Sequence, residues 1–386
     1  GNSNQTIMAT DNEIQVLNFR SKERPWRWLL IPIAVLLIIP FFFIGKGEIK
    51  QSDTYIDSTL QYKVASILSD KLTELNARFG QAIVMETETG AVKAMVGLQK
   101  NFDDTYVPCD IFAYQQVSGL TRAFSYMAAM ETKKVKLTDT VDVKEGIYLV
   151  DGMVLKDHNW HRGGYGMITY DKGFIVTSNI SVYKAVQKAF PNRPKAYFEA
   201  LDSLKWGVVD NIEGIPNLKP RIYLSPKDSL WASYNYPFST IGYNQKIAAI
   251  QILASYNAIA NNGKMVKPKI YKGETEIMDD SIASSKTIKA IQKAMRDNVT
   301  IGLGKPGNSD KVKVAGTTGG ATVSDNEDDT EGSVYTTYVA EFCGYFPIEK
   351  PKYTIIVLIN KMGLPSSSGL MAGSVFKEIV DYMVTK

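Results

Sequence analysis

Two stretches of strand character stand at opposite ends of this chain, and they limit the folds open to it more than any other feature. Near the start, Gly80 opens the apolar run AIVMET, which passes through a turn at Glu88-Thr89-Gly90 into AVKAMVG. Near the end, Tyr338–Phe346 and Tyr353–Asn360 face each other across Glu349-Lys350-Pro351. An isolated two-stranded hairpin is marginally stable at best in water. The two hairpins must therefore share one sheet, and what lies between them is an insertion into it. Leu60, Val64, Ile67, Leu68, Leu72 and Leu75 repeat at helical spacing ahead of the first hairpin, and Val375, Phe376, Ile379, Val380 and Met383 do so after the second. Inside the insertion, Arg122–Lys134 and Lys246–Asn262 read as helices, the latter closed by Gly263, and after it the alternation at Lys311–Val314 predicts a strand. The sum is an α+β, two-lobed domain: helices on a largely antiparallel sheet, a helical lobe over about residues 110–300, and a cleft between lobes as the default site.

A separate segment precedes this domain. Trp28–Gly45 (WLLIPIAVLLIIPFFFIG) carries no charge and approaches the ~20 apolar residues that cross a bilayer core. It reads as a transmembrane helix in which Pro32 and Pro40 are kinks rather than barriers. A cleaved signal peptide is the poorer reading, because Ile44-Gly45-Lys46-Gly47-Glu48 offers no small-x-small site. Arg20, Lys22, Arg24 and Arg27 precede the span while only Lys46 and Lys50 follow closely, which puts the N-terminus in the cytoplasm. Residues 1–27 are then a cytoplasmic tail, 28–45 the span, 46–55 a short linker and 56–386 the extracytoplasmic domain. With 45% hydrophobic residues among 386, that domain can bury a substantial core. The 44 basic and 40 acidic residues are spread along the chain, so no concentrated basic face argues for nucleic acid. Cys109 and Cys343 lie far apart without CxxC spacing, which excludes a disulfide-rich scaffold or a zinc ribbon and leaves one optional bridge.

Further signatures follow in order: GQAIVMETETGAVKAMVG at Gly80–Gly97, QVSGLTRAFSYMAAME at Gln116–Glu131, DHNWHRGGYGMITYDKGFIVTSNIS at Asp157–Ser181, STIGYNQKIAAIQILASYNAIANNGKMVKPKI at Ser239–Ile270, VAGTTGGAT at Val314–Thr322 and YVAEFCGYFPIEKPKYTIIVLIN at Tyr338–Asn360. In these the chain resembles the transpeptidase domain of class B penicillin-binding proteins, the septal cell-wall kind with one N-terminal membrane anchor. The collinear stretches span roughly Ile56–Lys386. The resemblance implies a penicillin-binding protein/serine β-lactamase-like sheet with flanking helices and a helical lobe. It also implies three motifs, a Ser-x-x-Lys, an S-x-N-type triplet and a Lys-Thr-Gly.

The motifs are degenerate. Ser-x-x-Lys chemistry sets a serine at a helix N-terminus, where the macrodipole favours developing negative charge, with a lysine one turn on to take its proton. Matching the family pattern to VSGLTRAFSYMAAME puts Gly119 at the serine and Arg122 at the lysine. Glycine offers no nucleophile, and arginine, with a pKa above ~12, is no base near neutral pH. The second motif falls on Thr177-Ser178-Asn179, which keeps the asparagine and a hydroxyl; the third falls on Thr317-Thr318-Gly319, which lacks the lysine. The resemblance also implies an oxyanion pocket from the backbone N–H groups of Gly119 and Gly320. Arg122, Ser178, Asn179, Thr317, Thr318 and Gly320 are the residues expected to line any ligand site that remains.

Other candidates have plainer readings. Ser118 is expected to be the N-cap of the following helix. A literal Ser-x-x-Lys at Ser374-Val375-Phe376-Lys377 lies on the closing amphipathic helix and reads as coincidence. His158 and His161 are too weakly spaced to argue for a metal, and the acidic run Asp325–Glu331 lacks a calcium-loop pattern. No cofactor and no metal is implied. The expectation is a catalytically inactive, single-pass penicillin-binding-protein-like subunit of a bacterial cytoplasmic membrane. It would act as scaffold or regulator in peptidoglycan synthesis or cell division, beside a polytopic glycan polymerase or other division protein. Two other readings stand beside it: an acyltransferase with relocated groups such as Thr177, Ser178 or Ser118, and a noncovalent sensor of peptidoglycan stem peptides with Arg122 gripping a carboxylate.

Overall fold

The computed structural model describes residues 51–326 and 334–386. Trp28–Gly45 and most of the acidic run at 325–331 lie outside the described residues. Among the described residues no helix is long and apolar enough to cross a membrane.

The sheet is built as the two hairpins demand. Its strands are β1 (Phe79–Glu86), β2 (Val92–Lys100) and β3 (Tyr106–Pro108) from the start of the chain, and β13 (Ala315–Asn326), β14 (Val334–Phe346) and β15 (Tyr353–Met362) from its end. Their order is β13-β14-β15-β1-β2-β3. The two halves join where β1 runs antiparallel to β15, from Phe79 opposite Asn360 to Glu86 opposite Tyr353. These central strands read as continuous apolar runs because both faces are covered. On one face α1 (Ser58–Leu75) and α9 (Ser374–Val384) pack against Ala82, Val84, Val357 and Ile359. On the other, Ile83, Met85, Ile356 and Leu358 meet the helical lobe.

The lobe is an insertion between β3 and β13, as the sequence implies. It contains β4 (Gln115–Gln116), α2 (Thr121–Glu131), β5 (Thr140–Asp142), β6 (Ile147–Val150), β7 (Met153–Lys156), β8 (Met167–Thr169), α3 (Tyr170–Ile175), α4 (Asn179–Ala189) and α5 (Pro194–Ser203). It continues through β9 (Ile222–Tyr223), α6 (Asn235–Thr240), β10 (Gln245–Ala248), α7 (Ala249–Ala260), β11 (Met265–Val266), β12 (Ile277–Asp279) and α8 (Ser285–Thr300). Two local expectations need correction. The helix expected from Lys246 begins only at Ala249, because Gln245–Ala248 pairs as a strand with both β4 and β9. Lys311–Val314 is not a strand; pairing starts at Ala315 opposite Tyr345.

At the centre of the lobe stands α2, buried on every side from Ala123 to Met130. A run free of Gly and Pro and rich in Ala and Met favours the helix, and its all-round burial marks it as core. Phe124 stacks on Trp206 at 4.5 Å between centroids and meets Tyr256 edge-on at 5.5 Å, contacts that fix the helix axis relative to α7. The N-terminus of α2 is thereby aimed at β13, the edge strand.

Candidate active-site groove

The residues of all three degenerate motifs meet where α2, the α3–α4 corner and β13 converge. Gly119, Arg122, Thr177, Thr317 and Thr318 line one small cavity, together with Tyr126, Gly173 and Tyr256. Its volume is about 10 Å³, about the limit for one water molecule. Little room is left in the groove.

Gly119 accounts for the closure. A Cβ on this residue would lie 2.5 Å from Gly320 O, 2.7 Å from Gly320 N and 2.5 Å from Arg122 Nη1. Backbone meets backbone where a nucleophilic side chain and an acyl group would stand. Gly319 is equally tight, its added Cβ falling 2.8 Å from Leu120 N. The space needed for an oxyanion between the Gly119 and Gly320 amides is taken up by this approach.

Arg122 fills the remaining gap. Its Nε donates to Asn179 Oδ1 at 3.1 Å, Nη1 to Gly119 O at 3.2 Å and Nη2 to Gly320 O at 3.5 Å. One guanidinium thus ties together all three motif segments, a use of its fixed fork that a lysine could not copy. Burial pulls its pKa below the ordinary arginine value.

Across the groove, the Thr177-Ser178-Asn179 segment is held by its own network. Ser178 Oγ donates to Asp157 Oδ2 at 2.6 Å and accepts the Ser181 N–H at 3.1 Å, which makes Ser178 the N-cap of α4. Asp157 Oδ1 also accepts the Ile180 N–H at 3.0 Å, and Asn179 Nδ2 donates to Lys156 O at 3.0 Å. Burial raises the Asp157 pKa, while these hydrogen bonds pull it down. Thr177 carries φ +54°, a left-handed conformation costly for a β-branched residue, and the α3–α4 corner depends on it. On β13, Thr317 Oγ1 accepts from Asn298 Nδ2 at 3.1 Å, whereas the buried Thr318 hydroxyl has no partner.

Ser118 is not the N-cap. That place belongs to Leu120, which makes no side-chain cap bond, and the Leu120 N–H donates instead to Ser118 Oγ at 3.2 Å. The Ser118 hydroxyl is fully buried and lies 2.9 and 3.0 Å from the two carboxyl oxygens of Glu341 on β14. Gly242, at φ +106°, crosses so closely that a Cβ there would lie 1.9 Å from Ser118 O, and this sharp turn needs glycine. Glu341 is the residue that sequence reasoning missed. Burial pushes its pKa up to about 8 against the opposing pull of Ser118, Arg122 and the Gly119 amide. Its signal was present: a lone acid in the apolar strand YVAEFCGYF, at an inward position opposite Gly319.

The remaining candidates lie apart from this chemistry. His158 Nε2 is 3.0 Å from Val176 O and 2.8 Å from the Tyr165 hydroxyl. Among the described residues no cluster of His, Cys, Asp and Glu could hold a metal ion. Ser374 donates to Leu370 O at 2.6 Å and Lys377 pairs with Asp381 at 3.6 Å, both on the closing helix. Cys109 and Cys343 are free, buried thiols.

Comparison with known proteins identifies the family. Residues 80–381 match the family model of the penicillin binding protein transpeptidase domain. The chain is 21% identical over 370 residues to a peptidoglycan D,D-transpeptidase FtsI homolog of Mesostigma viride, covering 85% of this chain and 60% of that protein. It is 22% identical over 387 aligned residues to the penicillin-binding protein PbpB of Mycolicibacterium smegmatis, covering 91% and 57%. The chain thus spans under two thirds of the length of these relatives. In fold it is similar to the transpeptidase domain of Burkholderia pseudomallei penicillin-binding protein 3, at TM-score 0.71 and 19% identity over 88% of this chain and 97% of that one.

Proposed function

Since this chain belongs to the penicillin-binding protein transpeptidase family, we propose that it is a member whose catalytic groove has been converted into structure, and that it works by binding. In this reading Trp28–Gly45 anchors it in a bacterial cytoplasmic membrane with the domain outside. It then serves peptidoglycan synthesis or cell division as scaffold or regulator, beside a polytopic glycan polymerase or another division protein. The observation that carries the proposal is the contact of Gly119 with Gly320, which leaves about 10 Å³ where a nucleophile and its substrate would need to fit.

The same geometry bears on the two other readings. A nucleophile relocated to Ser118 or Ser178 finds little support, since both are fully buried and hydrogen-bonded to Glu341 and Asp157, whereas Thr177 lines the small cavity, which has no room beside it for a substrate. A stem-peptide sensor would need Arg122 to grip a carboxylate, yet its donors already serve Asn179, Gly119 and Gly320. The test is incubation with a fluorescent penicillin followed by intact-mass measurement. No adduct is expected, and a stoichiometric one would overturn the proposal. Titration with muropeptides by calorimetry then separates scaffold from sensor, since saturable heat belongs to the sensor alone.

A further inference from the structure

We propose that Glu341, acting through Ser118, is an internal latch that holds the N-terminus of α2 against β13 and keeps the groove shut; this rests on the closed-groove reading above. The latch is a single polar link across two elements. Glu341 stands on β14 opposite Gly319, fully buried. Its carboxyl oxygens lie 2.9 and 3.0 Å from Ser118 Oγ, and the same Oγ accepts the Leu120 N–H at 3.2 Å. The link therefore reaches from the sheet to the first turn of α2. It bounds the glycine contact: Gly119 follows Ser118, and Gly319 is the partner of Glu341 across the strands.

The groups around Glu341 decide which protonation state suits the closed form. From α2 and the residues leading into it they are Arg122, Ser118 and the Gly119 amide; from α7, Tyr256; from its own strand, Cys343; the adjacent strands offer Gly319 and Leu358, which do not titrate. Arg122 is the cation in this set, and its hydrogen bonds run to Asn179, Gly119 and Gly320. A neutral carboxyl can give and take hydrogen bonds with the Ser118 hydroxyl and needs no counter-ion. A carboxylate, with Arg122 nearby but hydrogen-bonded elsewhere, is better served by water, which the fully buried Glu341 does not meet in the closed form. Burial accordingly pushes the Glu341 pKa up to about 8.

The direction of the effect follows. A raised pKa means that the closed form holds a proton that the open, hydrated form releases. Closure is favoured at low pH, and its advantage is lost as pH rises from the ordinary carboxylate range through about 8. Over that window the opening constant climbs by up to about tenfold per pH unit, then levels off.

Amide hydrogen exchange on the full chain in detergent micelles reads this directly, once intrinsic exchange rates are divided out. Peptides covering 117–122 and 315–322 should lose protection by about tenfold or more between about pH 6 and pH 8, while α5 peptides hold theirs. Glu341→Gln, an uncharged mimic of the closed state, should abolish that slope. A wild type with flat protection at 117–122 and 315–322 would overturn the latch whatever the variant does, and so would a Glu341→Gln chain that keeps the slope. Penicillin labelling is scored separately: an adduct removes the closed-groove reading, whereas a flat exchange profile without an adduct removes the latch alone.

Discussion

The two walls of the groove are held by different means. On the α3–α4 side two motif side chains have structural duties: Ser178 caps α4 and satisfies Asp157, and Asn179 bridges Arg122 to Lys156 O. On the α2–β13 side the contact is backbone on backbone at Gly119 and Gly320, with Arg122 stitched across it. The motif positions without the expected nucleophile or lysine, Gly119, Arg122 and Thr317, all sit on the second wall, beside Thr318 and Gly319, which match the family pattern. On the proposed reading, Ser178 and Asn179 are kept because they also build the fold, and the positions of the nucleophile and its lysines hold groups that close the gap.

Substitutions graded by expected effect can break this contrast. The largest effect should come from Ser178→Ala, which removes a helix cap worth about 1 kcal/mol and leaves a buried carboxylate short of a partner at a cost of about 1–3 kcal/mol. Chemical denaturation should register a loss of about 2–4 kcal/mol; a loss no larger than that of a surface serine would deny the first wall its structural duty. Next comes Gly119→Ser, whose side chain must force apart Gly119 and Gly320 and should cost about 1–3 kcal/mol by overpacking. A neutral or stabilising result in thermal unfolding would mean that the closure is loose.

Arg122→Lys should cost about 1 kcal/mol, since a point charge cannot hold Asn179, Gly119 O and Gly320 O at once. Its crystal structure should show Asn179 released, and an unchanged Asn179 would count against the guanidinium as stitch. The smallest effect, and one of opposite sign, belongs to Thr318→Val. Deleting a buried hydroxyl that has no partner should be neutral or stabilise by up to about 1 kcal/mol, and a clear drop in melting temperature would reveal a hidden role for Thr318.

Much of this architecture was legible in the sequence, and for a physical reason. Period and turn chemistry are local, and the need to pair two distant hairpins leaves one sheet as the outcome, as the β1–β15 ladder bears out. Local signals failed where tertiary pairing overrode them: Lys246 carries helical periodicity but its backbone completes a ladder with β4 and β9. The motif residues were legible by order, while the closure of the groove was not. It depends on a distance between two glycines from opposite ends of the domain, and on an acid in β14 whose partner, Ser118, precedes it by most of the domain's length. Ser118 looked like a cap because serine before a helix usually is one; the competing partner was out of sequence range.

If the groove is a converted catalytic site, as proposed, the approach of Gly119 to Gly320 also makes that conversion hard to reverse. A serine reinstated at 119 meets the β13 backbone before it meets a base, because Arg122 cannot deprotonate it and Thr317 supplies no lysine. A lysine reinstated at 122 alone merely unpicks the stitch between three segments. On that reading each backward step is costly on its own and useful only in company, a ratchet whose teeth are two glycines.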